Sequence, residues 1–369
     1  MIYLDNGATS FHKPKTVSRA VCHALRCCAN PGRGGHSAAM EAANLVYRCR
    51  ELAGELFDCD ADRVVFTSNC THGLNIAINT LVKPGSRVIV SGFEHNAVTR
   101  PLHALGANLH VAGRKLFDWD DILEDFDRAL RQGVDAAVFT HVSNVFGYIL
   151  PVEQLSAMCR EAGVPFIIDA AQSAGTIPIS LLDTGADFIA APGHKGLLGP
   201  QGTGVLLCRT QPRPLLYGGT GSESLRQDMP EYTPDSVEAG TLNVPGIAGL
   251  YEGLRYIKQT GMDGILKREQ QQVKRCAAGL KKLGMEVFSG THQAGTVSFR
   301  PGMDCEAAAQ ILARRGIAVR AGLHCAPLAH ESAGTVSTGT VRVSFGHEAN
   351  SSDTQGLLQA VSKLLPPKS

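Results

Sequence analysis

Between residues 63 and 208 short apolar runs recur: RVVFTS at 63–68, RVIVS at 87–91, DAAVFTH at 135–141, PFIID at 165–169, and the segments 187–191 and 205–208. No other pattern in the chain limits its architecture so tightly. Runs that are apolar at nearly every position, separated by helical stretches, belong to strands covered on both faces, and so to an α/β fold built on a parallel sheet. Open sheets of this class bind ligands at the carboxyl ends of their strands. His95, Asn144, Asp169 and Lys195 fall at or just beyond such ends, and the sheet is expected to gather them.

Lys195 stands in the segment APGHKGLLGPQGTG (191–204). Gly193, Gly196 and Gly199 allow backbone conformations closed to other residues, which suits close approach to a ligand. Taken alone, the lysine reads as an ordinary charged loop tip; the strand-end polar residues turn the reading toward a site. RVVFTS, followed by Asn69, Cys70, Thr71 and a helix starting near Gly73, forms a strand, polar turn and helix unit. Its helix N-terminus and hydroxyl suit either a phosphate or a plain N-cap.

Helical patterns at 15–28 and 39–57 flank NPGRGGH (30–36), a loop carrying Arg33 and His36. The proline- and glycine-rich stretch 212–245 reads as irregular, long enough to be functional and compatible with a dimer contact. Helices at 245–256 and 262–283 lead to alternating strands and helices at 295–300, 306–316, 318–320, 340–344 and 354–364, a smaller α/β unit.

A chain of 369 residues accommodates a large domain and a smaller one. Its 35 Lys and Arg against 34 Asp and Glu offer no electrostatic ground for nucleic acid or an anionic membrane, so a small-molecule substrate is expected. No apolar stretch is long enough to span a bilayer and no leader pattern opens the chain, so a cytoplasmic location is expected. The 11 cysteines are odd in number and no two stand three apart, which suggests neither a disulfide framework nor a CxxC metal site; most are expected to be buried and inert. No GxxxxGK[ST] or GxGxxG element follows a strand.

A lysine in a ligand pocket with a carboxylate at the end of a neighbouring strand suggests pyridoxal 5'-phosphate: the amine forms a Schiff base and the buried anion keeps the pyridine nitrogen protonated. Asp169 would hold that nitrogen, with a histidine such as His95 on the ring face. FIIDAAQSAG, with Asp169 and Gln172, followed by Lys195 in GHKG, resembles the class V aminotransferases, the fold-type I pyridoxal phosphate enzymes, and more narrowly their cysteine desulfurase and selenocysteine lyase branch. The resemblance extends from YLDNGATS (3–10) through EAGTLN (238–243) and RAGLHCAPLAH (320–330) to GTVRVSFG (339–346).

The resemblance implies a large domain at 15–255 with a mostly parallel seven-stranded sheet, and a small domain formed by 1–14 and 256–369. It implies Lys195 as the Schiff-base lysine, Asp169 as the pyridinium partner, Gln172 as a donor to the ring oxygen and His95 as the stacking residue. Thr71 and His194 match phosphate contacts. Thr241 matches a residue that reaches the phosphate of the neighbouring subunit, which implies a homodimer with shared active sites. Asn144 and Arg342 match contacts to the substrate carboxylate, for which a guanidinium fork is suited.

Cys325 selects among the reactions. A desulfurase needs a thiolate to take the substrate's sulfur as a persulfide, and His324 and Arg320 are cationic neighbours able to lower a thiol pKa if the fold brings them close. The expected activity is conversion of L-cysteine to L-alanine, with selenocysteine a possible substrate and a sulfur-acceptor protein a possible partner. An aminotransferase or C–S lyase of the same family, or a non-catalytic sulfur carrier with the same fold, are the alternatives. A metal site from His324, Cys325 and His330 lacks a second ligand cluster, and no metal is expected. Three features depart from the family: Pro192 replaces a hydroxyl that commonly donates to the phosphate, His72 stands where glutamate is frequent, and FGHEANSSD (345–353) lacks the usual aromatic and acidic ending. Arg33 and His36 match a basic loop near the active site in relatives.

Overall fold

The apolar runs assemble into one seven-stranded sheet in the order Val64–Thr67, Gly204–Cys208, Phe188–Pro192, Phe166–Asp169, Ala136–Thr140, Arg87–Ser91 and Asn108–Ala112. The computed structural model describes residues 1–32 and 34–364, and Arg33 lies outside them. All pairings are parallel except those of Gly204–Cys208, which runs antiparallel to both neighbours. The sheet is mostly parallel, as expected, and this strand is its exception. Residues 193–203, which join it to Phe188–Pro192, are too few for the crossover a parallel return requires. That short return is the loop carrying Lys195.

Alternate residues of each strand enter opposite faces of the sheet, as the pleat requires. Val88, Val90, Val138 and Ile167 pack with Leu74 and Ile78 of the helix Cys70–Leu81 on one side. Ile89, Phe139, Phe166 and Ile168 pack on the other, with Phe126 of the helix Trp119–Arg131 and Leu155 of the helix Val152–Ala162. Each such side chain contributes roughly 1.5–3 kcal/mol by leaving water. The sequence does not mark the strand Asn108–Ala112, because NLHVA lies at the sheet edge, partly exposed, and its apolar residues are interrupted by His110.

The smaller unit is an antiparallel sheet ordered Arg320–Gly322, Thr340–Ser344, Thr296–Arg300 and Glu286–Phe288. The helices Met262–Lys282, Cys305–Arg314 and Ser351–Ser362 share its core. The N-terminal segment belongs with it: Ile2–Tyr3 pairs parallel with Ile317–Ala318. The chain then passes the Lys195 loop, where Ser10 donates its backbone N–H to the His194 carbonyl at 3.0 Å.

Among the described residues no helix or strand lies between Cys208 and Val244. This stretch is anchored by the buried pair Arg50 and Glu238; Glu238 also accepts from the Phe66 N–H at 2.6 Å. Among the described residues no helix is long and apolar enough to cross a membrane.

Candidate active site

Phe188–Pro192, Phe166–Asp169, Ala136–Thr140 and Arg87–Ser91 are consecutive parallel neighbours, so their carboxyl ends line one edge about 15 Å wide. Lys195, Asp169, Asn144 and His95 follow those four ends and line a single cavity with Thr71, Gln172 and His194. Asp169, 2% exposed, accepts at Oδ1 from the Ala171 N–H at 2.8 Å and from the Cys70 thiol at 3.4 Å. Among the described residues no donor reaches its Oδ2. His95 caps the helix Asn96–Ala104: its Nδ1 accepts from the Ala97 N–H at 3.0 Å, which leaves the proton on Nε2. Burial lowers its pKa against the opposing pull of Asp169, and the ring is a neutral imidazole.

Lys195 forms no ion pair among the described residues. Burial lowers its pKa, Asp169 and then Cys70 act in the opposite sense, and Arg342 and Arg320 lower it further. More free amine is therefore present near neutrality than an exposed lysine offers. The helix Cys70–Leu81 presents its N-terminus to the same cavity. Asn69 Oδ1 accepts from the His72 N–H at 2.9 Å, while the N–H groups of Cys70 and Thr71 have no partner among the described residues. Pro192 also lines this wall and supplies no donor. His72 is bonded back to Ser68.

His194 pairs through Nδ1 with the Thr9 hydroxyl at 3.1 Å, and burial, then Lys195 and Lys13, bring its pKa down to about 4. Gln172 donates from Nε2 to the Gly7 carbonyl at 2.9 Å, so one of its two amide protons holds the N-terminal segment and one is free.

The Cys325 loop enters from the small sheet. His324 and Cys325 have φ of +49° and +56°, the left-handed region that only a well-braced loop imposes on such residues. The bracing comes from the large sheet: Asn96 N–H donates to the Cys325 carbonyl at 2.7 Å, and Asn144 Nδ2 to the His324 carbonyl at 2.8 Å. Cys325 is exposed. The expected role of His324 as a cationic neighbour is corrected. Its ring is buried against Thr340, and desolvation brings its pKa down to about 2, so it carries no charge beside the thiol. Arg320 is the cation that remains; its pKa is raised chiefly by the hydrogen bond to Asp5, with Cys325 a smaller contributor.

Arg342 is 2% exposed and donates to the Asn144 carbonyl at 3.0 Å and to Asp5 Oδ1 at 2.8 Å, while its Nε–H is buried without a partner. Asn144 Oδ1 is likewise buried and unpaired. Thr241 is not in this cavity. It is exposed, in a separate cleft with Arg50, Tyr47 and Gly219. His36 caps the helix Ser37–Phe57 by accepting from the Ala39 N–H and does not line the cavity. Among the described residues no group of three or more His, Cys, Asp or Glu is placed to hold a metal, the trio of His324, Cys325 and His330 included.

Glu94 was not singled out from the sequence. It is fully buried, accepts from the Ser91 hydroxyl and from the Thr140 N–H at 2.8 Å, and burial pushes its pKa up to about 8. A glutamate between Phe93 and His95 at the end of an apolar run was the available signal. Cys70, bonded to Asp169, left no such trace.

The family model described as Aminotransferase class-V matches residues 2–357. The chain belongs to the class V aminotransferase family. Within it, a probable cysteine desulfurase of Pyrococcus abyssi is 35% identical, covering 95% of this chain and 90% of that one. One of Methanothermobacter thermautotrophicus is 32% identical, covering 97% and 92%. Among solved structures, the apo cysteine desulfurase of Thermococcus onnurineus superposes with a TM-score of 0.89 at 32% identity, covering 98% and 94%. The Escherichia coli cysteine desulfurase CsdA, in an S-sulfonic acid form, does so at 0.83 and 26%, covering 98% and 94%.

Class V membership implies pyridoxal 5'-phosphate, and the cavity fits it at both ends. Asp169 lines the cavity, and among the described residues its Oδ2 accepts from no donor, which leaves it for a protonated ring nitrogen. The free N–H groups of Cys70 and Thr71 at a helix N-terminus suit a phosphate.

Proposed function

We propose that this protein is a pyridoxal phosphate-dependent cysteine desulfurase, converting L-cysteine to L-alanine with the sulfur captured as a persulfide on Cys325. The observation that carries the reading is the bond from Asn96 N–H to the Cys325 carbonyl, 2.7 Å, which ties the thiol's loop to the helix capped by His95. A family member acting as a plain aminotransferase has no use for a braced, exposed thiol at that point.

The cofactor would be held by Lys195, Asp169, Gln172 and His95 around its ring, and by Thr71 and His194 at its phosphate. When bound it supplies an electron sink for the carbanion formed at the substrate's α-carbon. Lys195, with its amine kept partly unprotonated by burial, takes the α-proton. Arg342 and Asn144 orient the substrate carboxylate. The Cys325 thiolate attacks the substrate sulfur; as the S–S bond forms, the carbon–sulfur bond breaks and its electron pair stays on the β-carbon, which is then protonated. Cysteine and the Cys325 thiol thus become alanine and the Cys325 persulfide with no external oxidant.

Thr241 lies outside its own subunit's cavity, and Tyr217, Leu225, Tyr232 and Tyr47 are exposed on the same irregular region and the neighbouring helix. Both features support a homodimer in which Thr241 reaches the phosphate of the other subunit. A division into a large domain, 15–255, and a small domain, 1–14 with 256–369, accords with the two sheets. Incubation with L-cysteine should yield sulfide, in the presence of a thiol reductant, and alanine in equal amounts. Cys325→Ser should keep the visible absorbance of the bound cofactor and lose sulfide release by a factor of about 100 or more; undiminished release would refute the role of Cys325.

A further inference from the structure

Arg320 and Arg342 stand directly opposite each other on antiparallel strands. Like charges in that position repel, and Arg342 is also buried, where a guanidinium needs a paired anion. Asp5 answers both demands. Its Oδ1 accepts from Arg342 Nη2 at 2.8 Å and from Arg320 Nε at 3.2 Å; its Oδ2 accepts from Arg320 Nε at 3.1 Å and Nη2 at 2.9 Å. The carboxylate is itself fixed, because Asn6 N–H donates to the Ser344 carbonyl at 3.3 Å, Gly7 N–H to Ser344 Oγ at 2.8 Å, and Ser344 N–H to the Leu4 carbonyl at 2.8 Å.

We propose that Asp5 is a positioning residue: one carboxylate that locks Arg342 and Arg320 together, and through them both the seat of the substrate carboxylate and the loop carrying Cys325. With Arg342 Nη1 on the Asn144 carbonyl and Nη2 on Asp5, the guanidinium is held at two of its nitrogens and its plane is fixed, with two of its five N–H donors engaged. Arg320 opens the strand that ends at Gly322, only Leu323 and His324 before Cys325. The titratable and charged groups around the clamp are Asp5, Arg320, Arg342 and Cys325, with Tyr3 beside them, its hydroxyl donating to the Asp5 and Thr9 carbonyls.

The inference rests on the desulfurase reading only for the identity of the ligand that Arg342 receives. Two measurements on the cofactor-loaded protein test it without requiring turnover: the affinity for L-alanine, and the rate at which iodoacetamide alkylates Cys325. Asp5→Asn should weaken alanine binding about tenfold, as expected for disturbing a charge-assisted contact. It should also speed alkylation about twofold to fivefold, because a negative charge and a tether are both removed. Asp5→Glu, which keeps the charge, should restore most of the alanine affinity. In the cysteine reaction the Asn variant should show the same loss chiefly in KM.

A folded Asn variant with wild-type alanine affinity and wild-type alkylation, or a Glu variant as impaired as the Asn variant, overturns the clamp. Should the Asn variant not fold, the Glu variant and the two measurements on Arg320→Lys, whose ammonium cannot make the double contact to Asp5, decide in its place. Absence of sulfide release by the wild type would refute the desulfurase reading and leave the alkylation test of Asp5 standing.

Discussion

At the scale of single residues, the site is shaped as much by what burial does to charge as by which groups are present. Burial lowers the pKa of Lys195, neutralises His194 and His324, and raises Glu94 and Glu269 to about 8. Glu269 is 5% exposed, lines a second cavity that also borders Lys195, and accepts no hydrogen bond among the described residues. Its stability effect has a definite sign. With a folded pKa of about 8 against its ordinary 4.5, the folded state keeps a proton that the unfolded state has lost, so stability falls as pH rises through that window and levels off above it. Glu269→Gln removes the penalty. Urea midpoints of variant and wild type should coincide near pH 4.5 and separate in the variant's favour toward pH 8; a constant gap would disprove the assignment. Residue identity made Lys195, Asp169 and Cys325 legible in the chain. It could not reveal that His324 is neutral, because that depends on how Thr340 and the small sheet cover the ring.

At the scale of elements, the decisive piece is the return loop 193–203. Its length forces the antiparallel strand Gly204–Cys208 and at the same time delivers Lys195 to the end of the parallel strands. The strands themselves were readable because burial on both faces demands apolar residues at successive positions. The edge strand Asn108–Ala112 was not, since one of its sides has no neighbour to select for them. The helix Cys70–Leu81 is where helix capping and the candidate phosphate site meet. Asn69 caps it through the His72 N–H, and the next two N–H groups remain for a phosphate. Asn69→Ala should reduce stability by about 1 kcal/mol in denaturant titration, the usual effect of losing a cap. It should also weaken pyridoxal phosphate binding severalfold, because the helix N-terminus loses its fixed direction; unchanged cofactor affinity would place the phosphate elsewhere.

At the scale of the whole molecule, two sheets with separate cores meet beside the cavity. The large sheet supplies Lys195, Asp169, His95 and Asn144 to it, the small sheet is tied to that wall by Arg342 on the Asn144 carbonyl and by the Cys325 carbonyl on Asn96, and the N-terminal segment stitches the two with Asp5, Gly7 and Ser10. Thr241 is held at the surface on a segment anchored by Glu238, and the proposed homodimer, in which it reaches the other subunit's phosphate, is testable by complementation. Mixing inactive Lys195→Ala subunits with Thr241→Glu subunits, whose added charge opposes the phosphate, should restore activity, since a mixed dimer regains one intact site. No recovery from demonstrably mixed dimers would mean that Thr241 acts within its own subunit or not at all. The amino-acid order by itself determined the α/β class, the strand ends that carry the polar groups, the family and the identity of the candidate site residues, because periodicity and motif spacing are local properties. Only the tertiary structure decided that Asp5 occupies Arg342 and Arg320, that His324 is uncharged and that His36 caps a helix away from the cavity. The first depends on contacts between residues more than 300 positions apart and the second on how the fold covers a ring, neither of which a local pattern encodes.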